Sequence, residues 1–114
     1  MAFSEIELAQ IDRAVGGLCK RRNRPELHEV VRLEYRVDRH DVILFEVRER
    51  YGKPGGKIDC PMAKLKFVRT TGEWRLLWMR SDLKWHAYEP VTSSSDLEEL
   101  VREVDNDPFG CFFG

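Results

Sequence analysis

The densest group of side chains suited to chemistry lies in residues 78–90, which hold two tryptophans, a tyrosine, a histidine and four charged residues. His86 follows Asp82 by four positions, and a histidine that titrates near neutral pH can act as a general base beside a carboxylate. A small hydrolase that uses Asp82, His86 and a carboxylate such as Glu46 is therefore one hypothesis. Neither an activated nucleophile nor a phosphate-cradling glycine loop accompanies these residues. Their aromatic rings equally fit core packing, a stacking platform for a ligand or the rim of a pocket.

A second group, Asp41, Glu46 and Arg48, is superficially similar to the arrangement in which nuclease carboxylates hold a divalent cation. Arg48 fits this chemistry poorly, because a guanidinium stays protonated and cannot be a general base. On one strand, at roughly 3.3 Å per residue, Asp41 and Glu46 are about 16 Å apart and cannot share an ion. We expect an ion pair between Glu46 and Arg48 instead. The three histidines are scattered without ligand spacing, so no metal or other cofactor is expected.

Length and composition indicate one globular domain, residues 1–114. The hydrophobic fraction of 42% argues against disorder even though 34% of the residues are charged. The N-terminus lacks a cationic start and an apolar run, and no stretch of eighteen apolar residues occurs, so we expect neither a signal peptide nor a membrane span. Three cysteines without paired spacing favour reduced thiols. The sequence thus predicts a soluble, cytoplasmic protein that does not bind membranes.

Two helices are predicted, one near each end of the chain. Ser4 and Glu7 have the spacing of a capping box, so the first helix begins at Glu5 and runs to about Lys20. Its apolar stripe consists of Leu8, Ile11, Val15, Leu18 and Cys19. A second capping box, Ser95 and Glu98, begins a helix that ends near Asp105. The apolar tail of residues 107–114 is predicted to dock onto the domain.

Between the helices the hydrophobic period changes to two, which predicts five strands in an antiparallel meander. On the first two strands we expect one apolar face, made of Val31, Leu33, Tyr35, Val37, Ile43, Phe45 and Val47. Trp78 and Trp85 are expected in the core, while Trp74, just after a turn, is either core or ligand-stacking. The fold class is α+β: N-terminal helix, five-stranded antiparallel meander and C-terminal helix, with both helices on one face of the sheet.

Charge is distributed unevenly along the chain. Residues 20–84 contain 17 Lys and Arg against 10 Asp and Glu, a net charge of +7, and the rest of the chain has a net charge of −8. Strand parity places many of these cations on the face that the helices leave open. Either this face is simply solvated, or it binds an anionic ligand such as nucleic acid, or it contacts a protein partner. The candidate ligand-binding residues are Arg32, Glu46, Arg48, Lys64, Lys66, Arg80, Asp82, Lys84, His86 and Tyr88.

Several segments together resemble a known family. They are residues 1–5, residues 45–48 (Phe-Glu-Val-Arg), residues 78–90 and the ending Gly110-Cys111-Phe112-Phe113-Gly114. In this combination the chain resembles a bacterial family described only as domain of unknown function 3024, over nearly its whole length. The resemblance implies a bacterial cytoplasmic protein. It implies no catalytic residue, because none is established for that family.

Three functions remain open from the sequence. The first is a non-enzymatic binding module whose basic sheet face takes a polyanion such as single-stranded nucleic acid. The second is a protein-interaction or structural subunit, for example a homodimer formed through a sheet edge or through the tail at Phe109–Phe113. The third is the small hydrolase described above, although the sequence favours a protein that is not an enzyme.

Overall fold

The structure, a computed structural model, describes residues 3–50 and 55–114. The glycine-rich segment of residues 51–57, whose composition predicts a loop, lies in part outside these ranges. The chain begins with a helical run made of α1 (Glu5–Ile11), a π-helical turn (Asp12–Gly16) and α2 (Gly17–Arg22), followed by a short 3-10 helix (Pro25–Leu27). The strands are β1 (Val31–Asp38), β2 (Asp41–Glu49), β3 (Lys57–Val68), β4 (Glu73–Met79), β5 (Trp85–Ala87) and β6 (Ser93–Ser94). The last element is α3 (Leu97–Asn106). Among the described residues, no helix has the length and apolarity needed to cross a membrane.

The strands form an antiparallel meander in the order β1-β2-β3-β4-β5, which confirms the predicted α+β architecture. One strand was not predicted: β6 pairs with β4 beside β5, in the segment expected to be a polar connection. Strand β5 is also shorter than the predicted fifth strand, residues 83–89. The helices cover one face of the sheet, where Val15, Leu18 and Leu100 join the strand residues in a single hydrophobic core. We call the other side the open face.

The prediction of which β2 residues face the helices was wrong. Asp38 pairs with Asp41 across a two-residue turn, so Leu33 lies opposite Glu46 and Val37 lies opposite Val42. Paired residues point to the same side of a sheet. The helix-covered face therefore takes Val42 and Leu44, and the expected core residues Ile43, Phe45 and Val47 point to the open face. The length of the turn sets this register. The alternation of residues in β2 could not show it, because both sides of that strand are apolar.

The first helix begins as predicted. The Ser4 hydroxyl accepts a hydrogen bond from the Glu7 backbone N–H, and the Glu7 carboxylate accepts one from the Ser4 backbone N–H. Glu7 also pairs with Arg69 at 2.9 Å, and this hydrogen bond is the main reason why its pKa is lowered to about 2. Leu8, expected in the apolar stripe, is instead 41% exposed. Phe3 packs away from it, stacked on Trp74 with ring centroids 5.5 Å apart.

The π-helical turn brings a carboxylate to the sheet. Asp12 accepts a hydrogen bond of 2.7 Å from the Tyr35 hydroxyl, and burial together with this bond raises the pKa of Tyr35 to about 12. Gly16 makes room for the contact, since a Cβ there would lie 2.9 Å from Asp12 Oδ1. At the adjacent Gly17 the nearest atom would be the flexible Arg21 Nη1, at 3.4 Å. Gly16 is thus the site of a specific close approach between the helical run and the sheet.

The C-terminal segment is docked, as predicted for the tail. The N-cap of α3 is Asp96, one residue later than the predicted Ser95, and its side chain accepts a hydrogen bond from the Glu98 N–H. After the helix, the Asp107 carboxylate accepts hydrogen bonds from the backbone N–H groups of Phe112, Phe113 and Gly114. Phe112 is buried with the core, so a carboxylate at the end of α3 holds the tail in place.

The outer edge of β1 is partly closed by a side chain. The Asn23 amide donates to the Leu33 carbonyl at 2.9 Å and accepts from the Leu33 N–H at 2.6 Å. This pairing imitates a neighbouring strand at the end of α2. It satisfies backbone groups that an edge strand would otherwise leave available for another chain.

We predict opposite effects for alanine at the two adjacent glycines. Gly17→Ala should stabilise the protein by up to about 1 kcal/mol, the usual gain from removing a glycine inside a helix. Gly16→Ala should destabilise it, because the new methyl group displaces the Asp12 carboxylate from Tyr35. Urea unfolding of both variants measures the difference. Equal gains in stability would contradict the role assigned to Gly16.

We also predict that Asn23→Ala lowers the free energy of unfolding by about 1–3 kcal/mol, because the partly buried Leu33 amide loses both hydrogen bonds. The matched control is Asn106→Ala, at an exposed position in α3. Urea unfolding should leave this control within about 0.5 kcal/mol of the wild type. If both asparagine variants unfold alike, the Asn23 pairing does not stabilise the edge.

Candidate anion-binding face

The ten residues predicted to form one ligand-binding face do not share a face. By register, Arg32, Lys64 and Lys66 lie on the open face. Glu46 and Arg48 lie on the helix-covered side, together with His86, which pairs with Trp78. The remaining candidates are Arg80, Asp82 and Lys84 in the turn between β4 and β5, and Tyr88 in the core. The predicted grouping was therefore wrong, for the same reason of register that misplaced β2.

Glu46 and Arg48 form the expected ion pair, at 2.9 Å. Asp41 points to the open face, opposite to Glu46, so these two carboxylates are separated by the sheet itself. Across residues 3–50 and 55–114, no group of three or more His, Cys, Asp or Glu side chains is arranged to hold a metal ion. The nuclease-like pattern has no structural counterpart in these residues.

The histidine and its carboxylate do meet in the β4–β5 turn. His86 Nε2 lies 2.8 Å from Asp82 Oδ2, and this hydrogen bond lowers the pKa of Asp82. Asp82 also accepts the Lys84 N–H, so it shapes the turn. Glu46 is on β2, three strand spacings or about 14 Å from β5, and cannot complete a catalytic group with them. The pair instead stabilises a hairpin turn in which Leu83 adopts a positive φ of 62°.

Tyr88 is fully buried, so it cannot present its ring to a ligand on the surface. Its hydroxyl donates a hydrogen bond of 2.7 Å to Glu103 on α3, and its ring packs on Phe112 with centroids 5.1 Å apart. Burial is the main reason why the pKa of Tyr88 is raised, and the Glu103 hydrogen bond adds to it. Tyr88 therefore connects the sheet to α3 and to the tail.

The open face is close to electrically neutral as a whole, contrary to the predicted basic face. Strand parity assigns to it the basic residues Arg32, Arg36, Lys57, Lys64, Lys66 and Arg75 and the acidic residues Glu34, Asp38, Asp41, Glu49, Asp59 and Glu73. The excess of cations between residues 20 and 84 is instead spread over both sides of the sheet and over the turns.

The two halves of this face nevertheless differ. On the β1–β2 side, Arg32 is paired with Glu34 and Arg36 with Asp59. On the β3–β5 side, Lys64, Lys66 and Arg75 make no ion pair with any described residue. Positive charge that is available to a ligand is therefore concentrated on the half of the face formed by β3, β4 and β5, which we call the cationic half.

Trp85 lies in the cationic half, not in the core as predicted. It pairs with Met79 on β4, and the Lys64 ammonium lies 5.0 Å from the centre of its ring. Trp85 is half-buried, and a cation over such a ring gains about 0.5–2 kcal/mol, which a stacked base could replace. The other two tryptophans belong to the helix-covered side: Trp74 is buried in the core and Trp78 packs against it. Trp85 is thus the tryptophan placed to stack on a ligand.

A cavity of about 430 Å³ adjoins these residues where β5 and β6 both pair with β4. Lys66 and Arg75 line one side and Thr92 and Ser93 the other, with Leu77 and Ala87 among the remaining lining residues. The hydroxyls of Thr92 and Ser93 make no hydrogen bond within the described residues. The cavity therefore combines two cations and two free hydroxyl groups.

The sequence interpretation missed Arg75, Trp85, Thr92 and Ser93. For Arg75 a signal was present, because strand alternation puts it on the side opposite to Trp78, which was expected in the core. Trp85 was misplaced because its strand is only three residues long, too short for alternation to show its direction. Nothing in the sequence indicated that residues 93–94 would form a strand beside β5.

For Tyr88 we predict a structural role. Tyr88→Phe and Glu103→Gln should each lower the free energy of unfolding by about 1–3 kcal/mol, since each removes or weakens a hydrogen bond to a charged group. In the double variant the losses should not add, because both changes remove the same interaction. Urea unfolding of the three variants measures the coupling, and fully additive losses would contradict the contact.

Comparison with known proteins gives a family but no activity. No curated protein matches the chain significantly, and neither does any solved structure. A family model matches residues 3–114, which is nearly the whole chain and includes every strand of the sheet and the cavity beside β4. The chain therefore belongs to the family described as domain of unknown function DUF3024.

Proposed function

We propose that the protein is a non-enzymatic binding module that takes single-stranded nucleic acid on the cationic half of its open face. The observation that carries this proposal is Trp85 with Lys64 above its ring, in a half where three cations have no ion-pair partner among the described residues. Single strands are bound by rings that stack on bases and by cations that contact phosphates. Lys64 would leave the ring to a base and contact the neighbouring phosphate.

Single strands fit this face better than duplexes do. The sheet presents a broad surface and no projecting helix or two-stranded ribbon that would enter a major groove. On β2 the side chains that point to this face, Ile43, Phe45 and Val47, are each less than 9% exposed, so they pack closely against their neighbours. Stacking on an accessible ring requires an unpaired base. We place this activity in the bacterial cytoplasm, where single-stranded RNA is present and the three free thiols stay reduced.

Self-association, the alternative function, has less support. Asn23 already occupies part of the β1 edge, and Phe112 and Phe113 pack against their own chain. Phe109 is 68% exposed but stands alone in the tail. Light scattering of the full chain tests this alternative, which predicts a dimer.

Binding is tested with a fluorescent 15-nucleotide oligouridine by anisotropy at 50 and 200 mM salt. We expect affinity to fall as salt rises, since phosphate contacts release counterions. Trp85→Ala should weaken binding by roughly five- to a hundredfold, the range for losing one stacked base. Lys64→Glu should weaken binding and reduce the salt dependence. Lys20→Glu, an exposed lysine of α2 on the helical side, is the matched control and should behave like the wild type.

The proposal fails if the wild type does not bind at 50 mM salt. It also fails if Lys64→Glu and Lys20→Glu weaken binding equally, because the effect would then come from net charge and not from the face. Urea unfolding of each variant identifies any loss of binding that is caused by unfolding.

A further inference from the structure

We infer that the cavity beside β4 is a site for a phosphate monoester, namely the phosphorylated end of a bound single strand. This deepens the proposed function, since the cavity adjoins the face on which the strand would lie. The inference rests on two observations of its own. Lys66, Arg75, Thr92 and Ser93 line the cavity, and Lys66 lies directly opposite Arg75 on the neighbouring strand.

Lys66 and Arg75 are direct cross-strand partners on β3 and β4. Like charges directly opposite each other destabilise a sheet, because their Cβ atoms are only about 5 Å apart. Neither forms an ion pair with a described residue. An anion held between the two side chains would remove this repulsion.

The acidic neighbours on this face do not fill that role, since neither Asp41 nor Glu73, two residues before Arg75 on β4, forms an ion pair with Lys66 or Arg75. Asp41 is the partner of Lys66 on β2, on the side of Lys66 away from Arg75 and the cavity. No ion pair links Asp41 to Lys66, and Asp41 Oδ1 is buried without a hydrogen-bond partner among the described residues. The space between the two cations and the hydroxyl groups is therefore left for a ligand.

The row continues with hydroxyl groups in the same register. Arg75 is paired on its other side with Ser93 of β6, and Thr92 precedes it. Lys66, Arg75 and Ser93 thus follow one another at about 5 Å intervals across three strands. A guanidinium binds two phosphate oxygens at once, while the ammonium and the hydroxyls supply further donors. Two cations and two hydroxyls match the double charge and the several acceptor oxygens of a monoester.

The shape of the cavity favours the end of a strand over its middle. Strands β5 and β6 both pair with β4, and Ala87, Thr92 and Ser93 line the cavity on that side, so we expect a strand that lies on β3 and β4 to end against these residues. A volume of about 430 Å³ holds a phosphate together with its sugar, which would lie on Leu77 and Ala87. An internal phosphodiester carries one negative charge less than a monoester, and the strand that contains it must leave the cavity in both directions.

The test compares four forms of one labelled octauridylate: a 5′-phosphate, a 3′-phosphate, unmodified hydroxyl ends, and the unmodified form with inorganic phosphate added. We expect one of the phosphorylated ends to bind at least about fivefold more tightly than hydroxyl ends. Lys66→Gln and Arg75→Gln should each abolish this preference. Lys64→Gln, on the same face outside the cavity, should weaken all forms and keep the ratio between them.

The inference is overturned if phosphorylated and hydroxyl ends bind alike, or if the preference persists in both Lys66→Gln and Arg75→Gln. The proposed function survives either result. If no oligonucleotide binds, the proposed function fails. The chemical shifts of the Thr92 and Ser93 amide resonances then test separately whether the cavity binds phosphate. Their shift on addition of inorganic phosphate to the wild type but not to Arg75→Gln supports a site for free phosphate, and no shift overturns it.

Discussion

The two-residue turn between β1 and β2 decides which side of every later strand lies beneath the helices. Because Asp38 pairs with Asp41, Val42 and Leu44 join Leu33 in the core. Each following strand inherits this choice through its own pairing, out to Trp78 and His86 at the far edge. The turn needs Arg39 at a positive φ of 57°, a conformation that costs roughly 1 kcal/mol or more for a residue with a Cβ. Burial of the whole helix-covered face offsets that cost.

The same constraint determines the chemistry that the open face can support. The sequence interpretation placed Glu46, Arg48 and His86 on one face with Lys64 and Lys66, but Lys64 pairs with Ile43 and Lys66 with Asp41, on the side opposite to Glu46. In the actual register, Trp85 and Arg75 join those lysines instead. The open face therefore presents an aromatic ring among cations, the combination on which the proposed function rests. The hydrolase hypothesis lacks its third group for a separate reason, because Glu46 lies three strands from His86.

The sequence predicted what depends on local patterns and missed what depends on pairing. The capping box of Ser4 and Glu7 and the presence of a C-terminal helix were predicted because both depend on residues close together in the sequence. The number and order of the main strands followed from period-two segments and short turns. The sequence could not show which face of β2 lies beneath the helices, because Ile43, Phe45 and Val47 are as apolar as Val42 and Leu44. The cavity was beyond prediction, since it depends on two separate short strands pairing with β4.

The charges of the open face show why counting residues along the chain was a poor guide to its surface. Arg32 and Arg36 are neutralised locally by Glu34 and Asp59, whereas Lys66 and Arg75 face each other. A sheet selected only for stability would place an acidic residue opposite a basic one, since such pairs contribute up to about 1 kcal/mol. The β2–β3 pairing follows that rule, with Lys57 opposite Glu49 and Lys66 opposite Asp41, whereas Asp38 and Asp41 face each other at the β1–β2 turn. The β3–β4 half departs from it beside a cavity with free hydroxyl groups, and a local departure of this kind is where a binding site is expected in an otherwise consistent fold.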